Sequence, residues 1–223
     1  MEKYAIIVAA GSGTRMGTEL PKQFLPLHGQ PIARHTAHLF LGADPAMQVI
    51  MVLPKSFMES GKSLMDGLDN SRLSFVQGGE TRFHSVLNAL EKVPDGALVL
   101  VHDAVRCLLS RQLIQHCIAE ANAFGNAVPA ITATDTVRIQ EGNITVPVER
   151  NAVFLVQTPQ VFQATALKKA YQLGYSEKFT DDASVFEKGG GNIHLVEGEK
   201  ENIKITTPLD LLIAEKIMDS RKP

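Results

Sequence analysis

A glycine-rich segment with two nearby cations follows the first apolar run of the chain. Residues 9–17 read A-A-G-S-G-T-R-M-G, and residues 21–26 read P-K-Q-F-L-P. Glycines at the carboxyl end of a strand let a ligand approach the backbone, whose amide groups can bind phosphate. Arg15 and Lys22 could then grip one polyphosphate. The segment is predicted to bind phosphate, and a structural turn with two solvated cations is the alternative at this point.

Two common nucleotide-binding patterns do not fit this segment. Its glycines have the spacing G-x-G-x-x-x-G, and the next predicted strand ends in Leu53-Pro54 without an acidic residue for a ribose. This disfavours a nicotinamide-dependent oxidoreductase. Lys22 also lacks the preceding glycine and the following Ser or Thr of the nucleoside-triphosphatase loop.

The elements that must position these residues alternate between short apolar, β-branched runs and longer helical patterns. This alternation predicts an α/β fold, a single Rossmann-like domain over residues 1–223 with a mostly parallel sheet flanked by helices. Strands are predicted over residues 4–10, 48–53, 73–77, 97–103, 127–133 and 192–196. Helices are predicted over residues 32–41, 56–68, 81–93, 111–124, 164–173 and 208–219, the last with Thr207 as its N-cap.

Residues 135–150 depart from this alternation. Polar and apolar residues alternate on both sides of Glu141-Gly142-Asn143, which predicts a β-hairpin. A two-stranded hairpin has too little core to be stable alone, so it must pack on another surface, either of its own chain or of another subunit.

Six further blocks occur in order along nearly the whole chain. They are G-G-E-T-R-F-H-S at 78–85, V-H-D-A-V-R at 101–106, E-R-N at 149–151, Q-T-P-Q at 157–160, T-D-D-A at 180–183 and E-N-I-K-I-T at 201–206. With the glycine-rich segment, the chain resembles the sugar-phosphate nucleotidyltransferases, and within them the 2-C-methyl-D-erythritol 4-phosphate cytidylyltransferases of non-mevalonate isoprenoid synthesis. The resemblance implies an enzyme that forms 4-diphosphocytidyl-2-C-methyl-D-erythritol and pyrophosphate from CTP and the sugar-alcohol phosphate.

The resemblance also implies site residues for the nucleotide half. The cytosine and ribose would be held, largely through backbone groups, by Ala9, Ala10, Gly11, Gly78, Arg82 and Ser85. Arg15 and Lys22 would grip the triphosphate as catalytic cations. CTP as the nucleotide comes from the resemblance alone.

For the other half of the site, the resemblance implies a metal and a sugar-phosphate subsite. Asp103 would bind Mg²⁺ or another divalent cation and face the substrate. The sugar phosphate would contact Arg106, Thr180 and the catalytic Lys204, and in a partner subunit it would contact Thr136 and the catalytic Arg150 of the hairpin. The hairpin would then be the dimerisation arm of a homodimer.

The reaction itself agrees with this residue set. A substrate phosphate is already an anion near neutral pH, so its attack on the α-phosphorus of CTP needs positioning and charge stabilisation rather than a strong base. The neighbouring His102 should point to the opposite face of its strand from Asp103, which favours a packing role. Asp181 and Asp182 could either cap the helix that begins near Ala183 or contact substrate.

Two departures from the family pattern leave a second substrate open. The block usually written V-H-D-A-A-R-P has Val105 and Cys107 here. Val105 also resembles the D-ribitol 5-phosphate cytidylyltransferases, whereas Ala9-Ala10 and the E-R-N block favour methylerythritol phosphate. A CTP-binding protein without catalysis is a further alternative, disfavoured because the metal acid and the cations are all present.

Composition and charge exclude several classes of protein. The chain of 223 residues has a net charge of -2, which argues against a nucleic-acid surface, and it lacks an apolar run long enough for a membrane span. It has two cysteines and no basic secretion leader, so we expect a cytoplasmic protein.

Overall fold

The computed structural model describes residues 1–11 and 20–221. Within them, eight strands form one twisted sheet in the order β10-β7-β11-β6-β1-β4-β5, and β12 pairs with β7. Its strands are β1 (Lys3–Val8), β4 (Met47–Leu53), β5 (Leu73–Gln77), β6 (Leu98–Asp103), β7 (Asn126–Thr132), β10 (Phe154–Val156), β11 (Gln160–Gln163) and β12 (Leu195–Glu197). The small pair β2 (Pro26–Leu27) and β3 (Gln30–Pro31) and the hairpin β8 (Arg138–Glu141) and β9 (Ile144–Pro147) stand outside it.

Helices cover both faces of the sheet. They are α1 (Ile32–Ala43), α2 (Met58–Ser63), α3 (Arg82–Leu90), α4 (Arg111–Phe124), α5 (Ala164–Tyr171), α6 (Asp182–Lys188) and α7 (Pro208–Ser220). Helices α1 and α4 pack in one apolar core, and α3, α5 and α6 pack in the other. This confirms the predicted α/β fold class. No helix within the described residues has the length and apolar character needed to cross a membrane.

The central strands β6, β1, β4 and β5 are parallel. They are predominantly apolar because most of their side chains are buried under helices, and Ile6 and Ile7 of β1 are both fully buried. The register places Val8, the last residue of β1, beside Asp103, the last residue of β6. The parallel strands therefore bring their carboxyl ends, and the loops after them, to one edge of the sheet.

The other half of the sheet departs from the prediction. Strand β11 runs antiparallel between β6 and β7, and β10 pairs antiparallel with β7. Neither strand was predicted, because each has only three or four residues and their ladder partners are distant in sequence. Strand β12 begins at Leu195, because the Asn126 side chain binds the backbone of Asn192 and His194 in place of a ladder.

The helix predicted over residues 56–68 is also shorter than expected. Only Met58–Ser63 is α-helical, preceded by a 3-10 turn over Lys55–Phe57. Gly67 has a φ of +83°, a left-handed conformation that ends regular helix and that glycine adopts readily.

The predicted hairpin at residues 135–150 is confirmed as the pair β8 and β9. Its turn contains Gly142 at a φ of +59°. Its two isoleucine side chains are solvent-exposed, Ile139 by 51% and Ile144 by 64%, whereas Val137 and Val146 are half-buried. The adjacent β10 is exposed at all three positions. The hairpin therefore leaves both isoleucine side chains uncovered by its own chain.

Candidate active site

A cavity of about 480 Å³ opens at the carboxyl edge of the parallel strands. It brings together eight of the residues proposed from sequence, namely Ala9, Ala10, Gly11, Lys22, Arg82, Ser85, Asp103 and Lys204. They come from the ends of β1 and β6, the start of α3 and two loops that are distant in sequence. This position, outside the carboxyl ends of the strands, is where open α/β sheets bind ligands.

Gly78, a predicted nucleotide-binding residue, does not line the cavity but packs directly behind Ala10 and Ser85, where no side chain fits. A Cβ at this position would lie 2.4 Å from the Ala10 Cβ and 3.0 Å from the Ser85 Oγ. Ser85 is itself held, since its hydroxyl accepts the Gly79 N–H at 3.1 Å and donates to the Thr81 carbonyl at 2.9 Å. The backbone after β5 is thus fixed against Ala10. Recognition of a base through backbone groups requires a backbone held in this way.

Gln23 fixes the entry to the glycine-rich segment and was missed from sequence. Its amide Nε2 donates to the Ala9 carbonyl at 2.6 Å and to the Gly11 carbonyl at 2.8 Å. Lys22 precedes it on a 3-10 turn (Lys22–Phe24) and is only 9% exposed. Arg15, the other predicted triphosphate ligand, lies outside the described residues.

Asp103 is the charged centre of the cavity. Its carboxylate lies 2.7 Å from the Lys204 Nζ, 3.4 Å from the Arg82 Nε and 3.9 Å from the Arg106 Nε. Burial alone would raise the pKa of Asp103, but the charges of Arg82, Lys204 and Arg106 outweigh it and hold the pKa well below its usual range. Asp103 is therefore ionised at neutral pH, surrounded by three cations that carry a net positive charge for an anionic ligand.

Arg82 is held from behind by a buried carboxylate. Its Nη2 donates to Asp182 Oδ2 at 2.7 Å, and the Tyr171 hydroxyl donates to Asp182 Oδ1 at 2.7 Å. Asp182 is fully buried, and burial opposes the charge of Arg82, but Asp182 and Asp103 together raise the pKa of that guanidinium. The neighbouring Asp181 caps α6 by accepting the Ser184 N–H. Capping and the support of Arg82 thus account for both aspartates.

The loop that carries Lys204 is fastened to the same edge of the sheet. Arg106 Nη1 donates to the Asn202 carbonyl at 2.7 Å, and the buried Asn202 side chain donates to the Thr158 carbonyl at 2.9 Å. Gln157 Nε2 donates to the Glu199 carbonyl at 2.7 Å. These amide side chains were not identified from sequence, because each acts on backbone about 40 residues away.

His102 lies on the opposite face of β6 from the cavity, as predicted. It is fully buried, its ring centroid is 4.9 Å from that of Phe40, and burial lowers its pKa to about 3. It is therefore neutral and does not reach the cavity, and it also makes polar contacts with Thr158 and with the Arg106 carbonyl.

The remaining predicted residues lie on the surface of the single chain. Thr136 and Thr180 are exposed. Arg150 is exposed beside the hairpin, where its Nη1 donates to the Thr134 carbonyl at 3.2 Å. Within the described ranges none of the three lines the 480 Å³ cavity. Their proposed contacts with substrate stay predictions.

The Asp103 carboxylate of the cavity fits the binding of Mg²⁺. Residues 1–11 and 20–221 contain no group of three His, Cys, Asp or Glu side chains that could hold a metal by themselves. Mg²⁺ in nucleotide sites is commonly held by one or two carboxylates together with substrate phosphates and water. Asp103 is ionised and lies at the cavity wall. Its carboxylate oxygens fit that mode of binding, provided that phosphate supplies the other ligands.

Together, the sheet order and the cation-lined cavity at its carboxyl edge are those of an α/β nucleotidyltransferase. A family model described as 2-C-methyl-D-erythritol 4-phosphate cytidylyltransferase matches residues 4–220. The chain belongs to this family of enzymes.

Similar proteins match over essentially their full length. A protein of Phocaeicola vulgatus named 2-C-methyl-D-erythritol 4-phosphate cytidylyltransferase is 47% identical over 98% of this chain and 100% of its own. The crystal structure of the Francisella tularensis enzyme of that name has a TM-score of 0.82 at 33% identity, covering 97% of this chain and 100% of the other. That of 4-diphosphocytidyl-2C-methyl-D-erythritol synthase from Anaerococcus prevotii has a TM-score of 0.86 at 28% identity, covering 98% of each chain.

Proposed function

We propose that this chain transfers the cytidylyl group of CTP to 2-C-methyl-D-erythritol 4-phosphate, releasing pyrophosphate. The observation that carries the proposal is the convergence of Arg82, Arg106 and Lys204 on Asp103, in a cavity whose other wall is the glycine-rich edge after β1. Two anionic substrates must meet in such a reaction. A preorganised cation cluster reduces their repulsion and stabilises the charge of the transition state.

The chemical step follows from the charges. An oxygen of the substrate phosphate attacks the α-phosphorus of CTP in line, a new P–O bond forms, and the bond to the β-phosphate bridging oxygen breaks as pyrophosphate leaves. Lys204 is 43% exposed and can contact the incoming phosphate, and Lys22 also lines the cavity, where it would contact the polyphosphate. Arg106 does not line the cavity, and its guanidinium, with Nε 3.9 Å from Asp103, adds positive charge behind that carboxylate.

We include Mg²⁺ in the proposal. Asp103 would hold it, and the ion would supply neutralisation of the triphosphate charge when bound. Because Lys204 contacts Asp103 at 2.7 Å, it would exchange that contact for the substrate phosphate as the ligands bind.

The proposal also includes a homodimer in which the hairpin β8–β9 is the arm. The exposed Ile139 and Ile144, together with the exposed strand β10, are apolar surface that a partner subunit would cover. Arg150 and Thr136 would reach the partner's sugar phosphate from this arm. A cytoplasmic location is part of the same proposal, because Cys107 and Cys117 are buried free thiols that require no oxidising compartment.

The test is pyrophosphate release with CTP and Mg²⁺, comparing 2-C-methyl-D-erythritol 4-phosphate with D-ribitol 5-phosphate at equal concentrations. Reactions without an acceptor are the control. We expect turnover with the first acceptor. Preference for ribitol phosphate would contradict the proposed substrate, and no release with either acceptor would contradict the proposed activity.

A further inference from the structure

The tight turn after β6 carries two charged groups of the site, Asp103 and Arg106. The Arg106 N–H donates to the Asp103 carbonyl at 3.0 Å and closes the turn. Two buried side chains, those of Thr158 and His102, contact the backbone at the two ends of this turn. The Asp103 N–H donates to the Thr158 Oγ1 at 3.1 Å, and the Arg106 carbonyl lies 3.1 Å from the His102 Nε2.

These contacts form one chain of hydrogen bonds with a fixed direction. A carbonyl can only accept, so His102 Nε2 carries the proton and donates to the Arg106 carbonyl. The Nδ1 of the neutral ring is then an acceptor, and the Thr158 hydroxyl, 3.0 Å away, donates to it. The Thr158 oxygen accepts the Asp103 N–H at the same time. The network thus assigns the Nε2–H tautomer to His102.

Neither side chain can act on substrate directly. His102 is fully buried on the opposite face of the sheet, and Thr158 is 5% exposed. Both act on backbone of the turn. The carbonyl of Thr158 also accepts the Asn202 side chain, so the same residue is bonded to the loop that carries Lys204.

We propose that Thr158 and His102 are positioning residues that hold the turn over residues 103–106, and with it Asp103 and Arg106, in the geometry that receives the sugar phosphate. This inference rests on the proposed function and deepens it. Because the proposed function assigns Asp103 of this turn to the metal of the triphosphate and Arg106 to the sugar phosphate, the effect falls on both substrates.

The direct test is Thr158→Val, which removes the hydroxyl at nearly constant volume. The Asp103 N–H then loses its acceptor and His102 loses its donor. We expect the KM for 2-C-methyl-D-erythritol 4-phosphate and the KM for CTP each to rise about tenfold. Thr158→Ser keeps the hydroxyl, so we expect it to restore the acceptor KM.

A matched control is Thr165→Val, whose hydroxyl accepts the Gly96 N–H at 3.0 Å at the opposite end of β6. Both substitutions remove one acceptor from a backbone N–H, and only Thr158 is bonded to the turn. Equal KM values for the acceptor in Thr158→Val and Thr165→Val would overturn the inference. So would a Thr158→Ser variant that behaves like Thr158→Val.

A second measurement uses the wild-type protein and stands if Thr158→Val fails to fold. Nitrogen-15 NMR of the imidazole should show His102 as the Nε2–H tautomer, with Nδ1 unprotonated. An Nδ1–H tautomer would reverse the chain and overturn the inference. Absence of wild-type turnover with either acceptor would instead contradict the proposed function, while the tautomer would still decide whether the hydrogen-bond chain exists.

Discussion

The cation cluster around Asp103 and the hairpin β8–β9 are held in opposite ways. Every charged group of the cluster is bound by groups of its own chain, as Arg82 is by the buried Asp182. The hairpin is held by its own ladder and exposes Ile139 and Ile144 to solvent. The difference shows that one part of the proposed site is preorganised within a single chain. The other part, which carries Arg150, depends on what its apolar surface packs against.

The largest effect is expected at the cluster. Lys204→Ala removes the cation nearest Asp103, and loss of one preorganised charged group lowers kcat by about 10²- to 10³-fold. Steady-state pyrophosphate release measures this, with circular dichroism to establish that the fold is retained. Lys168→Ala, whose Nζ instead contacts the exposed Asp95, is the control and should keep wild-type turnover. Turnover of Lys204→Ala within twofold of wild type would contradict the role of the cluster.

The hairpin is tested by mixing two inactive variants. If Arg150 serves the partner's site, a heterodimer of Arg150→Ala and Lys204→Ala chains contains one complete site. After subunit exchange, we expect about a quarter of the wild-type turnover, because half of the dimers are mixed and each has one intact site. Pyrophosphate release from the mixture and from each variant alone measures this. No recovery, with exchange verified by light scattering of tagged chains, would place Arg150 and Lys204 in the same subunit's site or separate them altogether.

The sequence predicts some elements of the fold and misses others. The central strands were predicted because their residues are buried on both faces, and the start of α7 because Thr207 caps it in a box with Asp210. The antiparallel β11 was missed because its burial comes from ladder partners far along the chain.

In the candidate site, too, some residues were predicted from the sequence and others were missed. The family resemblance placed Asp103, Arg82 and Lys204 in one site, and the structure brings both cations into contact with Asp103. Their supports, Asp182 with Tyr171 and the amide of Gln23, act on partners that only the folded chain brings near. No local pattern distinguishes such side chains from surface polar residues.

An effect of intermediate size is expected from His102, which lies behind the cluster and makes the free energy of unfolding depend on pH. His102 has a folded pKa of about 3, below its usual value near 6.5, so between these values the unfolded chain binds a proton that the folded chain excludes. Stability therefore falls as pH falls from about 6.5, with a contribution of about 1.4 kcal/mol per pH unit from this one group.

Urea denaturation of wild type and His102→Asn between pH 6.5 and 4.5 measures that contribution. The variant should show the flatter dependence of the free energy of unfolding on pH. Parallel curves for the two proteins would contradict the burial of a neutral His102. The comparison uses the slopes of the free energy of unfolding against pH, so a lower stability of the variant at pH 7 does not affect it.

The smallest effect is expected for an ion pair on the surface. Lys168 Nζ lies 2.7 Å from Asp95, close to the Lys204–Asp103 distance, but Asp95 is 73% exposed. Solvent screens such pairs, so Lys168→Ala should change the free energy of unfolding by no more than about 0.5 kcal/mol. Thermal unfolding measures it. A loss above 2 kcal/mol would contradict the view that exposure to solvent weakens this pair.

The hydrogen bond from Arg106 to the Asn202 carbonyl joins residues 96 positions apart, and Lys204 follows two residues later. On the ribosome, the parallel strands and the cavity wall they form emerge long before this loop. A nascent chain that has left the exit tunnel only through β12 contains the residues of the whole sheet, yet it still lacks Lys204, the cation nearest Asp103. Chains that terminate before Lys204 should therefore lack transferase activity whether or not the sheet has formed.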